Sequence, residues 1–373
     1  MADDLIAQKL GILLLQAKAV IFLFPIPFLQ LDNQINGLRI LDALDSEQCH
    51  EKCGKAERGV EMKKYCFGID VGGTTVKCGL FTVDGEVLDK WEIETRTEDN
   101  GVNILPDVAA TIKAKIDEKQ LNAEEIAGVG IGVPGPVNDQ GEVPVAVNLH
   151  WGFTPIEKEL SEMTGLTVKA GNDANVAALG ELWKGGGAGH HNMIMVTLGT
   201  GVGGGIIIND KVIAGSHGAG GEIGHAHVID GMQEACNCGN HGCLEQVASA
   251  TGIARLAREA LAATDAPSVM REKENISAKT VFDAVKENDA IAIQVAEKFG
   301  SYLGKALATF STVADPEIIV IGGGVSKAGP ILLDYIIHPF KEYAFTPCKE
   351  TTKFALATLG NDAGIFGAAK LVL

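Results

Sequence analysis

From residue 62 onward, short apolar runs alternate with longer stretches in which apolar positions recur at helical spacing. The apolar runs predict β-strands, at Tyr65–Val71, a second run ending at Thr82, Val87–Glu94, Ile126–Val133, Leu166–Ala170, Asn192–Leu198, Ile206–Ile208, Glu317–Ile321 and Phe354–Thr358. The helical spacing predicts helices, at 104–119, Ala174–Trp183, Thr251–Thr264, Ala278–Lys286, Ala290–Ala314, Pro330–Ile337 (which Pro339 would stop) and Asp362–Leu371. Strands that alternate with helices in this way indicate an α/β protein.

Glycine-rich turns follow three of the predicted strands. Glycine is enriched, at 46 of 373 residues, and much of it lies in clusters at 72–73, 199–205 and 322–324. The first two clusters share one design, because each joins two strands directly, without the Gly-Lys-Ser/Thr ending of a Walker loop. Such turns place backbone N–H groups around an anion, and three of them in one chain indicate a bound nucleotide.

Residues 222–245 contain the most specific chemical pattern of the chain. Cys236, Cys238 and Cys243 lie within eight residues, separated by glycines, as expected of thiolates around one tetrahedral zinc ion. The fourth donor is left open by local reasoning, with His225, His227 and His241 as candidates, and three metal-free thiols are the alternative. A histidine from outside the cysteine loop would make the zinc a clamp between two segments, flanked by Glu222 and Glu245.

Asn172 and Asp173 stand between a predicted strand and a predicted helix. Either residue could cap that helix by accepting backbone N–H groups. Polar residues at the carboxyl end of a strand are also where open α/β sheets bind ligands, so a catalytic role is an equal alternative.

Composition limits the function classes. The net charge of −17 argues against binding to nucleic-acid phosphates, which relies on lysine and arginine. Eight cysteines in 373 residues do not form a disulfide framework, and they favour a reducing cytoplasm.

The first 61 residues differ in character from the rest. The apolar stretch 10–29 contains Lys18 and is interrupted by Pro25 and Pro27, so it is a poor membrane span and a poor signal peptide. We expect residues 1–61 to be an extension outside the fold, with a peripheral anchor or a small domain as alternatives. No membrane association is expected of the remaining chain.

Taken together, these motifs resemble the ROK family of sugar kinases and repressors, and most of all its glucokinases. The motifs are Asp70-x-Gly-Gly-Thr, Gly171-Asn-Asp, the glycine run 199–205, Glu222-x-Gly-His, Cys236-x-Cys-Gly-x-x-Gly-Cys-x-Glu and Gly322-Gly-Gly-Val-Ser. The resemblance implies an actin/hexokinase-like (ribonuclease H-like) α/β fold of two domains with a cleft between them. The small domain would be 62–177, completed by the C-terminal helix 360–373, and the large domain would be 178–359 with the zinc loop.

The resemblance also implies roles for particular residues. Asp173 would be the general base, and the sugar hydroxyls would bind Asn148, Asn172, Asp173, Glu222, His225 and Glu245. Zinc would bind His225, Cys236, Cys238 and Cys243. ATP, with Mg²⁺ near Asp70, would contact Asp70, Gly72, Gly73, Thr74, Thr75, Lys77, Thr200, Gly201, Gly203, Gly204, Gly322, Gly323 and Gly324. Many relatives carry lysine where this chain has Thr75, which leaves open whether Lys77 touches phosphate.

The implied activity is phosphorylation of a hexose by ATP, with glucose as the expected substrate and a homodimer or homotetramer as the expected assembly. Fructose, mannose, allose and N-acetylmannosamine are alternative substrates, and polyphosphate is an alternative donor. A sugar-responsive repressor of the same family is the alternative from another functional class, although no helix-turn-helix pattern precedes Met62.

Overall fold

The computed structural model describes residues 63–373, which contain two five-stranded mixed sheets. The first sheet is built from β1 (Tyr65–Val71), β2 (Thr75–Thr82), β3 (Val87–Glu94), β4 (Ile126–Val133) and β5 (Val168–Asn172). The second is built from β6 (Met193–Leu198), β7 (Val202–Ile208), β8 (Lys211–Val212), β9 (Ile318–Gly322) and β10 (Lys353–Leu356). The prediction that residues 62–373 form an α/β protein is confirmed.

The two sheets share one topology. The first has the order β3-β2-β1-β4-β5 and the second has β8-β7-β6-β9-β10. In each sheet the earliest strand is central, pairs with the next strand in an antiparallel hairpin, and pairs with the fourth strand in parallel. The strand–glycine–strand repeat that the sequence predicts is therefore a repeat of architecture.

Eight longer helices complete the described chain. They are α1 (Ile104–Lys119), α2 (Ile156–Thr164), α3 (Asp173–Lys184), α4 (Ala250–Ala262), α5 (Ala278–Lys286), α6 (Ala290–Ala314), α7 (Ile331–Tyr343) and α8 (Ala363–Lys370). Shorter helical turns lie at Glu98–Gly101, Glu245–Ala248 and Thr346–Thr351. We call β1–β5 with α1, α2 and α8 the first half, and β6–β10 with α3–α7 the second half.

The helix that follows each sheet packs against the other sheet. Ala178, Leu179 and Leu182 of α3 share a buried cluster with residues of the second sheet. In the first sheet, a methyl group at Gly68 or at Gly130 would overlap carbonyl groups of α8. The missing side chains thus allow α8 to lie directly on the backbone of β1 and β4.

Between the sheets, α3 and α8 meet backbone to backbone. A methyl group at Gly180 would overlap the carbonyl of Ala363, and one at Gly367 would overlap the carbonyl of Val176. The two halves are therefore in contact through a helix pair whose closest approach is set by two glycines.

One predicted helix end is wrong. Pro339 was expected to stop the helix near Ile337, yet α7 continues through it to Tyr343. Proline removes one helical hydrogen bond, but its ring packs against α6, where the side chain is missing at Gly304. Tight packing between α6 and α7 offsets the local loss.

Two further differences from the sequence prediction concern the bounds of β5 and the helix α2, which precedes it. The strand runs Val168–Asn172 instead of Leu166–Ala170, which brings Asn172 to its last position. The helix α2 was not predicted, because only Ile156 and Leu160 of its nine residues are fully buried and its remaining face is polar.

No helix within residues 63–373 is both long and apolar enough to cross a membrane. The expectations for the extension 1–61 lie outside the described residues. The predicted domain boundary at residue 177 falls within the continuous helix α3, and the division into two domains stays a prediction.

Candidate active site

The junction of β5 and α3 places two polar side chains at the edge of the first sheet. Asn172 is the N-cap of α3, because its Oδ1 accepts hydrogen bonds from the backbone N–H groups of Ala174 and Asn175 at 3.1 and 3.2 Å. Its Nδ2 donates to the carbonyl of Gly135 at 3.1 Å. Asn172 thus meets the capping requirement, which leaves the neighbouring Asp173 available for another role.

Asp173 is open to solvent, yet it is surrounded by protein on several sides. Its Oδ1 accepts a hydrogen bond from the N–H of Ala174 at 2.8 Å. Burial by the surrounding protein raises the pKa of Asp173, the Ala174 N–H opposes that rise, and the negative charge of Glu222 adds to it. An accessible carboxylate with a raised pKa is suited to accept a proton from a bound hydroxyl.

The first glycine hairpin lies close to Asp173. Asp70 stands opposite Lys77 in the β1–β2 register. Burial raises the pKa of Asp70, the Lys77 ammonium opposes that rise, and the charge of Asp173 adds to it. Asp70, Asp173 and Glu222 therefore form one electrostatically coupled group of carboxylates drawn from both halves.

The turn of this hairpin is stabilised by hydrogen bonds at Gly72, and its next two residues are open to solvent. Gly72 donates its N–H to the carbonyl of Thr75 at 3.0 Å, and Thr95 Oγ1 donates to the carbonyl of Gly72 at 2.7 Å. Gly73 and Thr74 are exposed. Their open position fits the predicted contact with an anion.

The loop that carries Asn148 lies against Gly73. A Cβ built on Gly73 would lie 3.6 Å from the carbonyl oxygen of Asn148. Two buried neighbours hold this loop: Leu149 is fully buried, and Trp151 Nε1 donates to the carbonyl of Gly101 at 3.0 Å. The exposed Asn148 side chain is therefore presented from a fixed backbone beside the first glycine turn.

The second glycine cluster combines an open turn with close packing. Thr200 and Gly201 form the turn, and a methyl group at Gly201 would overlap the carboxylate of Glu245. Gly203 and Gly204 lie within β7 instead, where added side chains would meet Thr197 and Ile223. For these last two glycines the structure gives a packing reason.

The third cluster ends β9. Gly322 is the last residue of the strand, and Gly323 has a φ of +81° with the backbone of Leu198 directly beside it, so only glycine fits there. Gly324 is open to its surroundings. The second and third clusters are thus neighbours at one edge of the second sheet.

A pocket of about 350 Å³ adjoins Gly324, between α5 and the turn that follows β9. It is mainly apolar with cationic groups around it, and it includes Ala250, Phe282, Val325, Lys279, Lys286 and Lys327. Sequence reasoning did not find these residues, because the α5 pattern alone reads as an ordinary amphipathic helix. A pocket of this kind suits a flat base attached to phosphates.

The predicted metal ligands come together. One ligand atom each from His225, Cys236, Cys238 and Cys243 lies within 4.8 Å of all the others. Cys238 Sγ is 3.7 Å from Cys243 Sγ, and Cys236 Sγ is 3.7 Å from His225 Nδ1. Tetrahedral zinc with bonds of about 2.3 Å separates its sulfur ligands by about 3.8 Å, so the donor set fits this ion.

The other two candidate histidines are engaged elsewhere. His227 contacts the carbonyl of His241 through Nδ1 at 2.9 Å and Asp230 through Nε2 at 3.0 Å. His241 Nδ1 contacts the carbonyl of Met232 at 3.1 Å. The fourth donor that the sequence left open is therefore best supplied by His225.

The thiol cluster lies next to the two glutamates that flank it in sequence. His225 presents Nδ1 to the cluster and Nε2 toward Glu222, whose Oε2 is 4.0 Å away. Glu245 accepts a hydrogen bond from the N–H of Val202 at 3.0 Å, and its Oε1 is 3.7 Å from Cys236 Sγ. Glu245 thus joins the cysteine loop to the second glycine turn.

Comparison with known proteins agrees with this arrangement. A sequence profile of the ROK family matches residues 66–373. The chain belongs to the ROK family. A glucokinase of Halalkalibacterium halodurans is 44% identical over 313 residues, which are 83% of this chain and 95% of that protein. A glucokinase of Thermotoga maritima is 37% identical over 315 residues, which are 83% of this chain and 98% of that protein.

Among solved structures, a ROK family glucokinase from Streptomyces griseus, in complex with glucose and AMPPNP, is 32% identical. It superposes with a TM-score of 0.63 over 82% of this chain and 98% of that one. The actin-like α/β fold of the sugar kinases, expected from the sequence motifs, is thereby confirmed for this ROK protein.

Proposed function

We propose that this ROK protein is a glucokinase, which transfers the γ-phosphoryl group of ATP to the primary hydroxyl of glucose and forms glucose 6-phosphate. The chain is a hexose kinase, since relatives 34–44% identical over most of its length are glucokinases. The observation that supports the mechanism is Asp173, an accessible carboxylate with a raised pKa that is electrostatically coupled to Asp70 of the first glycine hairpin and to Glu222.

Asp173 acts as the general base in this proposal. A primary hydroxyl is a poor nucleophile at neutral pH, so a carboxylate must accept its proton as the hydroxyl oxygen approaches phosphorus. The raised pKa brings Asp173 closer to the proton affinity that such a base needs. The capping hydrogen bond from the Ala174 N–H to Asn172 fixes the position of Asp173 at the start of α3.

The sugar would bind between Asp173 and the cysteine loop. Glu222 and Glu245 accept hydrogen bonds from hydroxyls, and ionised carboxylates are strong acceptors. Asn148 and Asn172 add neutral groups from the first half, and His225 offers the Nε2 atom that faces Glu222. Specificity among hexoses would follow from this mixed set of acceptors and donors.

ATP would span both halves. Its phosphates would contact the first hairpin and the second glycine turn, at Gly72, Gly73, Thr74, Thr75, Lys77, Thr200 and Gly201. Further contacts would be made by the backbone alone, at Gly203, Gly204, Gly322, Gly323 and Gly324. The nucleoside would occupy the 350 Å³ pocket beside Gly324. Asp70 would lie near Mg²⁺, whose charge balances that of the transferring phosphoryl group.

Zinc would bind His225, Cys236, Cys238 and Cys243. Four protein ligands leave no open position, so the ion would order the loop and would take no part in the chemistry. Because Glu222 and Glu245 flank the cluster, loop order and sugar affinity are coupled in this proposal.

The two halves would act as the two predicted domains, 62–177 with 360–373 and 178–359, with the sugar in the cleft. Closure on the sugar would exclude water and suppress hydrolysis of ATP. A cytoplasmic location is favoured by the free thiols of the six described cysteines. The expected homodimer or homotetramer is open to test by light scattering of the purified protein.

Initial-rate assays across hexoses and N-acylated hexosamines, with ATP and with polyphosphate as donors, test the proposal. We expect the highest kcat/KM for glucose with ATP. A higher kcat/KM for fructose, mannose, allose or N-acetylmannosamine would change the substrate, and a preference for polyphosphate would change the donor. Lack of phosphorylation of every hexose, together with sugar-dependent DNA binding, would favour the repressor alternative.

A further inference from the structure

Glu181 is a fully buried carboxylate that the proposed phosphoryl transfer does not use. It lies near the C-terminal end of α3, eight residues after Asp173 in sequence. Its Oε1 accepts the N–H of Leu359 at 2.8 Å, and its Oε2 accepts the N–H groups of Gly186 at 2.8 Å and Thr358 at 3.1 Å. Burial of a charge without such partners is very costly, so these three donors fix the side chain in place.

Two of these donors belong to the segment 357–362, which carries the chain from β10 of the second sheet to α8 on the first sheet. The other end of the segment is attached to the first sheet. Lys77 Nζ donates to the carbonyl of Asn361 at 3.3 Å, and Lys90 Nζ pairs with Asp362 Oδ2 at 2.6 Å. Within five residues, the hydrogen bonds of the segment thus change from the second half to the first half, while the side chain of Leu359 packs on the first half.

Gly360 lies between these two attachments. Its φ is +57°, and a Cβ built there would meet no atom within 4 Å. The residue is therefore free of side-chain packing at the point where attachment changes from one half to the other. Hinges in proteins are often a few such positions, which absorb a backbone rotation while their neighbours stay fixed.

The second passage between the halves is the junction of β5 and α3, since β5 belongs to the first sheet and α3 packs on the second. Asn172 holds that junction through its capping bonds and its bond to Gly135. Asp173 is the first residue after this junction, so it lies next to one of the two passages. A rotation at the two passages would move Asn148 and Gly73 of the first half relative to Glu222.

We propose that Gly360 is the hinge of sugar-driven closure and that Glu181 is the positioning residue that anchors this hinge to α3. The inference rests on the proposed function, because it presupposes that a hexose closes the two halves. Glu181 contacts neither sugar nor nucleotide in this proposal. It acts through the segment 358–359.

The first experiment compares Glu181→Gln with Asp289→Asn in the full chain. Asp289 is also a buried carboxylate bound by backbone N–H groups, of Ala292 at 2.9 Å and Val269 at 2.8 Å, but all its partners lie within the second half. Glutamine replaces one acceptor oxygen by an NH₂ group that faces an N–H donor, so at least one anchor bond is lost.

We expect Glu181→Gln to raise the glucose KM about tenfold, because a loosened anchor lowers the population of the closed form, while the ATP KM stays within about twofold. Small-angle scattering should show a smaller glucose-induced contraction than in the wild type. Asp289→Asn should lower the thermal midpoint and leave both the glucose KM and the contraction near wild type.

The second experiment compares Gly360→Ala with Gly165→Ala. Gly165 ends α2 with a φ of +74° and also has no atom within 4 Å of a built Cβ, so alanine meets the same backbone penalty there. We expect Gly360→Ala to change the glucose KM by at least about threefold and Gly165→Ala to leave it within about twofold. This pair decides the question even if Glu181→Gln does not fold.

Equal glucose KM values and equal contraction in Glu181→Gln and the wild type, or in Gly360→Ala and Gly165→Ala, would overturn the hinge. The wild type separates this result from failure of the proposed function. A wild-type chain that phosphorylates no hexose contradicts the kinase, whereas an active, contracting wild type with indifferent variants contradicts only the hinge.

Discussion

The two sheets of this protein have the same strand order but carry different groups at equivalent positions. Asp70 of β1 stands opposite Gly132 of β4 and Lys77 of β2. In the second sheet, Thr197 of β6 stands opposite Gly322 of β9 and Gly203 of β7. One topology thus supports a charged pair at the first glycine turn and a small, neutral pair at the second.

The connections between the third and fourth strands differ even more. In the first half this connection holds the single long helix α1, whereas in the second half it holds the cysteine loop, α4, α5 and α6. The metal cluster lies in this longer connection, which also supplies one side of the candidate nucleoside pocket. The sheets therefore supply a repeated frame, and the chemistry comes from what differs between the repeats.

The largest expected effect follows from replacing the base at the junction of the halves. Asp173→Asn should reduce kcat by about 10²–10⁴-fold while glucose binding is largely kept, because the amide can hold a hydroxyl but cannot accept its proton. Steady-state kinetics and calorimetric titration with glucose measure the two effects separately.

Asp107→Asn is the matched control for this change, since Asp107 is an acidic residue in the first turn of α1 and pairs with Arg96 at the surface. Its activity should stay within about twofold of wild type. Turnover of Asp173→Asn within about threefold of wild type would exclude Asp173 as the base.

Removal of one cysteine tests the metal cluster, which occurs in the second half and has no counterpart in the described first half. Cys238→Ser should lose the metal and raise the glucose KM about tenfold or more, because the loop that holds Glu222 and Glu245 would lose its order. Elemental analysis of the purified protein and initial rates with varied glucose check both results.

Cys348→Ser serves as its control. Cys348 is buried in the second half, outside the cluster, and its Sγ lies 3.4 Å from the carbonyl of Ser311, a contact that serine can keep. This variant should retain full metal content and a normal KM. Full metal content and normal kinetics in Cys238→Ser would end the coupling between loop order and sugar affinity.

A smaller effect concerns the acid limb of the kcat/KM profile against pH, which tests the electrostatic coupling between Glu222 and Asp173. Asp173 must be ionised to act, so kcat/KM should fall as the pH drops through its raised pKa. Glu222→Gln removes a negative charge that raises this pKa, and it should move the acid limb to lower pH while raising the glucose KM. An unmoved limb would mean that Glu222 does not act on Asp173 electrostatically.

Ionisation of the half-buried Asp70 should also reduce stability, although the Lys77 ammonium opposes this effect. Burial raises the pKa of Asp70 above its ordinary 3.8, so the folded state holds the proton more tightly than the unfolded state. Stability is then lost as the pH rises from 3.8 through the folded-state pKa. Asp70→Asn should raise the thermal midpoint at pH 7 by about 1–3 °C and have less effect near pH 4.

Thr197→Ser at the equivalent position of the second sheet is the control for this titration. It removes one methyl group and no charge, so its change in thermal midpoint should be the same at both pH values. A gain in Asp70→Asn that is equally large at pH 4 would show that ionisation of Asp70 is not its cause.

Most of the fold was predictable because its signals are local. Apolar runs such as those of β1 and β9, and the glycine clusters that end them, can be recognised without any tertiary contact. The thiol cluster was predictable for the same reason, since three of its ligands lie within eight residues.

What could not be predicted depends on contacts distant in sequence. The path of α7 through Pro339 is explained by Gly304 on α6, and no pattern in α7 itself carries that information. Likewise, Glu181 reads as one polar position of a helix until the structure brings Thr358 and Leu359 to it. Spacing alone left the choice among His225, His227 and His241 open, and only the family resemblance implied His225, because the ring contacts of the three depend on the folded chain.

The smallest expected effect concerns residues 1–61, which lie outside the described residues. The alignments with the two glucokinases cover 95% and 98% of those proteins but only 83% of this chain. The match to the family profile begins at residue 66. Deletion of residues 1–61 should therefore leave kcat and the glucose KM within about twofold of the full chain, since β1 begins only at Tyr65. Parallel assays of the full and shortened proteins check this, and an insoluble or inactive shortened protein would show that the two halves depend on the extension.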